Sequence, residues 1–471
     1  MILFIHRKDL RTHDLPALDA IFASGLPSLH ILVLDPFLLR NGRGREHSGR
    51  NFLAHAGRLQ RLYTKHGRRL HVLYGEPAAV VSRIADAHPI REIVWHEDHT
   101  PYALTRDREL RQLAAERGIP ATAYDEAALA DLRDFVRWSG REDPYKVFTP
   151  FYKRWSAYVT ERFKPASTRS VAELETAELH SDVRDGFRLP PELGAQLQHD
   201  DPADSGDEPD PMQALESFLD ERLAGYADGR DRFAREDTSR ISRHLNVGAL
   251  SIREVYERLM EAPIGIEPWL RQLAWRDFYL YQSRLDPDFF RYEQVFDLSP
   301  LGDTHFRAWA EGRTGIPIID AAMTELNETG WMPNRLRMIT AMFLTKNLGC
   351  PFPYGERYFR YKLSDYDNVL NRGGWLWCAS LGFDAAPYFR VMNPATQSET
   401  HDPSGAYIRR WLPHLAGRSD KEIHKPLPEA IVDLKASRAQ AIETYKLILK
   451  SESARPAGDD LDAGADRPWR D

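Results

Sequence analysis

From Asp365 to Arg390 the chain runs Asp365-Tyr366-Asp367-Asn368-Val369-Leu370-Asn371-Arg372-Gly373-Gly374-Trp375-Leu376-Trp377, and then, after a short gap, Asp384-Ala385-Ala386-Pro387-Tyr388-Phe389-Arg390. Its first part sets two carboxylates, two amides, a glycine pair and two tryptophans side by side. A helix that only fills a core has no use for that mixture. Glycine lets backbone approach a flat ligand, and tryptophan offers a stacking face with one polar handle. Carboxylates and an amide can hydrogen-bond the edge of a heterocycle. Together they describe the wall of a large planar cofactor with an aromatic substrate face beside it. Trp375 and Trp377 are two residues apart, so on a helix they point in different directions.

Three other stretches carry candidate chemistry. Thr238-Ser239-Arg240-Ile241-Ser242 precedes a helical pattern. Hydroxyls beside backbone N–H groups at a helix start can cradle phosphate, with Arg240 adding charge, although such a motif alone reads as an ordinary N-cap. In Trp331-Met332-Pro333-Asn334-Arg335-Leu336-Arg337-Met338, Arg337 can pair with Asp365 as a charge-assisted fork, while Arg335 suits a solvated face. Trp275-Arg276-Asp277-Phe278 supplies a further indole, whereas Trp155, Trp269 and Trp309 read as core and His244 as a helix-surface histidine.

The elements that must hold these residues fall into two halves, as expected for 471 residues. Over residues 1–125 short apolar runs at Ile2–Ile5, Leu29–Leu34, Leu70–Tyr74, Glu92–Trp95 and Ala121–Tyr124 alternate with helical patterns at 14–24, 50–65, 77–87 and 102–118. That rhythm predicts a parallel sheet covered by helices, with any ligand at the carboxyl ends of its strands. No G-x-G-x-x-G follows the first strand; Gly42-Arg43-Gly44 is only a loop turn, which excludes a nicotinamide-dinucleotide site. Residues 126–211 are mixed and end in linker composition, 212–450 are helical in period, and 451–471 read as a disordered polar tail.

The net charge of −7 is concentrated: residues 200–210 hold six acids and no base, and 451–471 six acids and three bases. The remainder is slightly positive, so a basic face for nucleic acid is permitted. Two cysteines, Cys350 and Cys378, argue against a disulfide framework or a four-ligand zinc site, and a reducing cytoplasm fits best. No apolar run is long enough to span a bilayer. No metal site is expected.

These motifs, within a likeness that runs from Arg7-Lys-Asp-Leu-Arg-Thr-His-Asp14 to Arg438-Ala-Gln-Ala-Ile-Glu-Thr-Tyr445, resemble the DNA photolyase and cryptochrome family, most closely bacterial class I enzymes for cyclobutane dimers. The resemblance implies a Rossmann-like α/β domain with a five-stranded parallel sheet, followed by an all-α FAD-binding domain. It implies that Thr238, Ser239, Arg240, Ile241 and Ser242 hold the FAD diphosphate and that Tyr226 packs on the cofactor. Arg276, Arg337, Asp365, Tyr366, Asp367 and Asn371 would complete that pocket. Asn371, beside flavin N5, is the choice of photolyases and favours the doubly reduced anionic flavin. Trp375 would face the flavin as an electron donor. Trp275 and Trp377 would clamp a flipped pyrimidine pair, by stacking worth ~1–3 kcal/mol per base. Gln272, Asn334 and Met338 would line the lesion, and Arg230, Arg335 and Arg390 would meet DNA. The implied reaction is light-driven repair of UV-damaged DNA by electron transfer from FADH⁻, the work of a deoxyribodipyrimidine photo-lyase acting as a monomer with no obligate protein partner. A blue-light photoreceptor of cryptochrome type is the alternative from another class.

Three positions depart from that pattern. Gln272 stands where dimer repair enzymes carry glutamate, keeping an acceptor but not the charge. Glutamine also occurs there in (6-4) photoproduct relatives, but those carry histidines where this chain has Met332-Pro333-Asn334, which ranks that activity second. The family's three-tryptophan electron chain keeps Trp375 but has Phe352 and Ser299 at its other two positions, which predicts slow photoreduction unless Tyr354 or Tyr358 substitutes. Tyr102 aligns near the acid of folate-binding relatives, leaving folate, deazaflavin, a second flavin or nothing as the antenna.

Overall fold

A computed structural model describes residues 1–450 apart from 142, 199–209 and 264. The expected tail over 451–471 and nearly all of the acidic run lie outside the described residues.

Five strands form the first domain: β1 Ile2–His6, β2 Ser28–Leu34, β3 His71–Tyr74, β4 Glu92–His96 and β5 Ala121–Tyr124. All pair in parallel in the order β3-β2-β1-β4-β5, with Leu3 opposite Leu29 on one side and Ile93 on the other. Every residue of β1 is buried, as the unbroken apolar run of a central parallel strand requires. Helices α1 Pro16–Ser24, α2 His47–Lys65, α3 Pro77–Ala87 and α4 Pro101–Glu116 connect the strands. Three of them start on proline, whose missing N–H costs nothing in the first turn. At α3 the Glu76 carboxylate accepts from the N–H groups of Ala78 and Ala79 at 2.8 Å. The strand order reverses between β1 and β4, which opens a crevice at their carboxyl ends.

The segment 126–211, expected as an interdomain linker, is divided between two cores. Its helices α5 Leu132–Ser139 and α6 Phe148–Arg162 send Phe135, Phe151 and Trp155 into the core of the helical domain. Val171, Leu174 and Leu197 return to the sheet domain. Aromatic anchors at helical spacing outweigh a polar average here.

The helical domain is built from α7 Pro211–Glu221, α8 Ile252–Glu261, α9 Glu267–Leu285, α10 Pro317–Thr329, α11 Asn334–Met342, α12 Phe352–Lys362, α13 Asn368–Cys378 and α14 Leu434–Lys450, with shorter turns between. Helix α11 runs on into a π-helical turn, Phe343–Asn347. The loop after β1 ties the domains together. Lys8 Nζ reaches Asp367 at 3.1 Å and Asp98 at 3.3 Å, His13 meets Glu254 at 2.8 Å, and Arg253 holds Asp14 at 2.7 Å. Both cysteines are free and buried. Among the described residues no helix is long and apolar enough to cross a membrane.

Candidate cofactor pocket and aromatic substrate face

Helix α13 starts where it does because Asp367 caps it. One carboxylate oxygen accepts from the N–H groups of Val369 at 2.9 Å and Leu370 at 3.0 Å, while the other takes Lys8. One turn on, Asn371 is buried and its amide nitrogen donates to the Glu356 carbonyl at 3.0 Å. Gly373 cannot be larger: a Cβ there would sit 2.2 Å from the ring of Tyr279 on α9. Trp375 is 2% exposed and fills the space that Gly355 of α12 leaves open. Trp377 is only half buried, so the two indoles face different surroundings.

Asp365 gathers the neighbouring elements. One carboxylate oxygen accepts from Ser242 Oγ at 2.7 Å and from Arg337 Nη2 at 3.0 Å, and its backbone carbonyl accepts from the Asn246 amide. The other oxygen, Oδ1, is buried without a partner, as are Trp375 Nε1 and Arg276 Nε. Buried polar atoms are almost always hydrogen-bonded. Three orphans on residues already singled out for one ligand are open valences for it, so the residues present fit a polar-edged planar cofactor.

The phosphate motif is only partly joined to this cluster. Ser242 reaches Asp365, and Arg240 adopts a left-handed backbone with φ 55°. Its guanidinium lies over Trp331 at 5.5 Å and near Glu236 at 3.4 Å. Ser242–Leu245 is a single helical turn, and the Thr238 carbonyl accepts from Arg222 at 3.4 Å. Tyr226 is buried under the Arg230 guanidinium at 5.8 Å, and burial raises its pKa. The segment Gly229–Asp237 closes on itself, the Asp237 side chain occupying the place of a Gly229 Cβ. His244, expected on a surface, is 3% exposed and bonds His55 of α2 at 3.1 Å. Burial, then Arg243 and Arg58, push its pKa down to about 3. It stays neutral at pH 7 and is no acid catalyst there.

Profiles described as DNA photolyase and as the FAD binding domain of DNA photolyase match residues 2–170 and 269–449. A deoxyribodipyrimidine photo-lyase of Vibrio cholerae is 33% identical, the match covering 95% of this chain and 99% of that one. The chain belongs to the photolyase–cryptochrome family.

Among solved structures, an archaeal photolyase from Sulfolobus tokodaii with two FAD molecules superposes with a TM-score of 0.79 at 28% identity, over 94% of this chain and 99% of that one. A Synechocystis cryptochrome gives 0.80 at 27% identity, over 95% and 99%. The photolyase FAD-binding profile takes in α9 to α14, and with them Arg276, Arg337, Asp365 and Asn371. Tyr226 and Thr238–Ser242 fall between the two matched regions.

The same domain carries the aromatic face. Trp275 of α9 stacks on Phe148 of α6, ring centroids 3.7 Å apart and 5° from parallel, which fixes the indole plane. Gln272, one turn before, is half buried and its amide donates to its own helix at Pro268, 3.3 Å. Asn334 is exposed one turn before Met338 on α11, its amide 3.8 Å from the thioether. Arg335 is paired with Asp231 at 2.7 Å, and Arg390 is exposed in the loop after α13. Tyr366 lies under Arg43 at 5.2 Å, and Arg276 donates to the Ala127 carbonyl.

Phe148, Asn246 and Lys8 escaped the sequence reading. Asn246, one turn after Ser242, had a periodic signal, and so did Phe148, at helical spacing from Phe151 and Trp155 in a stretch of otherwise polar average.

At the carboxyl ends of β1, β2 and β4, Phe37 stacks on Tyr102 at 5.1 Å, with the Arg40 guanidinium 3.6 Å over Phe37. Arg7 and Arg106 each keep one buried Nη2 without a partner. Burial first, then Arg106, lowers the Arg7 pKa to about 9. Nearby, Glu97, His99 and Asp125 converge, but Arg133 and Arg284 hold the two carboxylates in a charge network.

Proposed function

We propose that this chain repairs cyclobutane pyrimidine dimers in UV-damaged DNA, using light and a reduced flavin. The observation that carries the reading is the Ser242–Asp365–Arg337 clamp with its unpartnered Asp365 oxygen, set before a helix bearing Asn371, Trp375 and Trp377. Its relatives named deoxyribodipyrimidine photo-lyase support it.

When bound, FAD supplies the photoexcited electron donor. The chain's part is to hold and shape. Asp365, Arg337 and Ser242, with Arg276 and Asp367, would fix the cofactor edge, and Tyr226 and Thr238 to Ser242 would close over its diphosphate. Asn371 has its nitrogen committed to Glu356, so its carbonyl end is left to accept from a ring N–H, which favours the reduced form. Trp275, locked on Phe148, and Trp377 would sandwich the flipped dimer, a contribution of ~1–3 kcal/mol per base. Asn334, Met338 and the acceptor end of Gln272 would border it, and Arg230, Arg335 and Arg390 would face phosphates. The protein would act as a cytoplasmic monomer. The crevice at Arg7, Arg106, Phe37 and Tyr102 suits a second, anionic planar chromophore, whether folate, deazaflavin or flavin.

The test uses purified protein with chemically reduced flavin and a thymine-dimer oligonucleotide, in blue light and in darkness. Restored thymines only in light are expected. No repair with lesion DNA ignored would favour the cryptochrome reading, and tight lesion binding without repair would point to Gln272 or a (6-4) substrate.

A further inference from the structure

Trp375 touches two rings: Phe359 edge-on at 5.1 Å, and Trp309 at 6.1 Å and 74°. Trp309 is fully buried and its indole N–H donates to the Thr340 carbonyl at 3.1 Å. Phe306 lies 5.9 Å beyond Trp309 and 5.5 Å from Tyr354, which is 37% exposed. The Tyr354 hydroxyl bonds the Asp303 carboxylate. An aromatic line therefore runs from the buried end of the cofactor pocket to a surface phenol with a proton acceptor attached. Phe352, by contrast, lies 4.8 Å under the Arg372 guanidinium, where a fixed positive charge opposes oxidation of a ring that is already hard to oxidise.

We propose that Trp375, Trp309 and Tyr354 form the electron-supply route of this protein, with Phe306 as the bridging ring. The proposal rests on the flavin reading above. Trp375 would give one electron to the photoexcited, oxidised cofactor when it is bound. The indole N–H of Trp375 has no acceptor within the protein, so no side chain or carbonyl takes its proton and the oxidised ring remains a strong oxidant. Trp309 returns an electron to Trp375. Tyr354 then returns one to Trp309 and gives its phenolic proton to Asp303. An external thiol transfers a hydrogen atom to the tyrosyl radical, becoming a thiyl radical, and Asp303 releases its proton to water. The net result is one electron moved from thiol to the pocket. Tyr358 also touches Trp309, at 5.7 Å, but its hydroxyl donates to the Ala310 carbonyl and the Asn327 amide oxygen, neither of which takes a proton. The Lys362 ammonium 6.0 Å over its ring opposes oxidation further. The line therefore ends at Tyr354.

Flash photolysis and electron paramagnetic resonance on the protein loaded with oxidised FAD decide this. Wild type should show a tyrosyl radical. Tyr354→Phe should show a shorter-lived tryptophan radical in its place, and Trp309→Phe no tyrosyl signal. Thiol-supported photoreduction should slow on the order of tenfold in each. Persistence of the tyrosyl signal in Tyr354→Phe, or wild-type photoreduction in Trp309→Phe, would overturn the route. If Trp309→Phe does not fold, the exposed Tyr354→Phe decides alone. Repair by chemically pre-reduced protein is expected to be unchanged in both variants. Absence of repair in wild type as well would sink the functional reading while leaving the radical assignment standing.

Discussion

Two buried carboxylates, Asp9 in the sheet domain and Asp365 in the helical domain, meet opposite fates. Asp9 sits in a closed chain. Ser28 bonds His30 at 2.8 Å, His30 bonds Tyr63 at 2.7 Å, Tyr63 bonds His6 at 2.6 Å, His6 bonds Asp9 at 3.1 Å, and the other Asp9 oxygen bonds His96. The far nitrogen of His96 accepts from the Ala17 N–H at 3.3 Å, and Asp9 also takes the Arg7 N–H at 2.7 Å. Burial works to raise the Asp9 pKa, but His6 and His96 outweigh it and hold the carboxyl well below its usual range. Asp365 is also buried yet keeps an oxygen without a partner, in company with Trp375 Nε1 and Arg276 Nε. A fully satisfied polar network specifies one packing, whereas an unsatisfied one awaits a ligand. Between these two carboxylates burial does not separate structure from function; the unused hydrogen bond does.

The largest effect should come from Asp9→Ala. It orphans His6, His96 and the Arg7 N–H at once, and should cost about 4 kcal/mol in urea unfolding. The folded fraction should still load FAD normally. A cost below about 1 kcal/mol would mean that the chain of histidines is incidental. Asp365→Ala should behave in the opposite sense. Without flavin it should cost only about 1–2 kcal/mol, since Arg337 is partly solvated. Added FAD at a hundredfold its dissociation constant should stabilise wild type by about 2.7 kcal/mol and the variant by almost nothing. Equal stabilisation of both by FAD would show that Asp365 is not a ligand to the cofactor.

The same distinction governs what was legible in the sequence. The sheet was, because β1 to β5 are short apolar runs between helices, three of which open on proline, and these are local signals. The pairing of Arg337 with Asp365 was legible from charge and family motif together. Trp309 was read as core, and it is core; that it also touches Trp375 is a tertiary fact with no period to betray it. Phe148 lay hidden in a segment whose polar average suggested a linker, although its aromatic spacing matches a buried helix face. His244 was misjudged because the group that buries it, His55, stands 189 residues earlier in the chain.

The smallest effect, silent at pH 7, belongs to that His55–His244 contact between the domains. One ring must donate and the other accept, so the contact fails once both rings are protonated, and burial disfavours a charge on either. Burial leads in lowering both pKa values, helped by Arg243 and Arg58, and that of His244 falls to about 3. The unfolded chain protonates each histidine near pH 6.5, so between there and pH 3 it binds more protons than the folded chain. Stability must therefore fall as pH drops through that window, by about 1.4 kcal/mol per pH unit for each histidine. The depressed carboxyl of Asp9 adds its own loss only at lower pH, below the unfolded carboxylate range, so Asp9 stays out of a comparison between pH 7 and pH 5, and the variant separates His244 from the other groups. His244→Gln keeps a hydrogen-bonding side chain and removes one titration. Its urea midpoint should lose less on acidification than wild type, the difference amounting to about 2 kcal/mol. An unchanged pH dependence would mean that His244 already carries a proton in the folded protein, and that this contact, like Asp365, has a partner still to be accounted for.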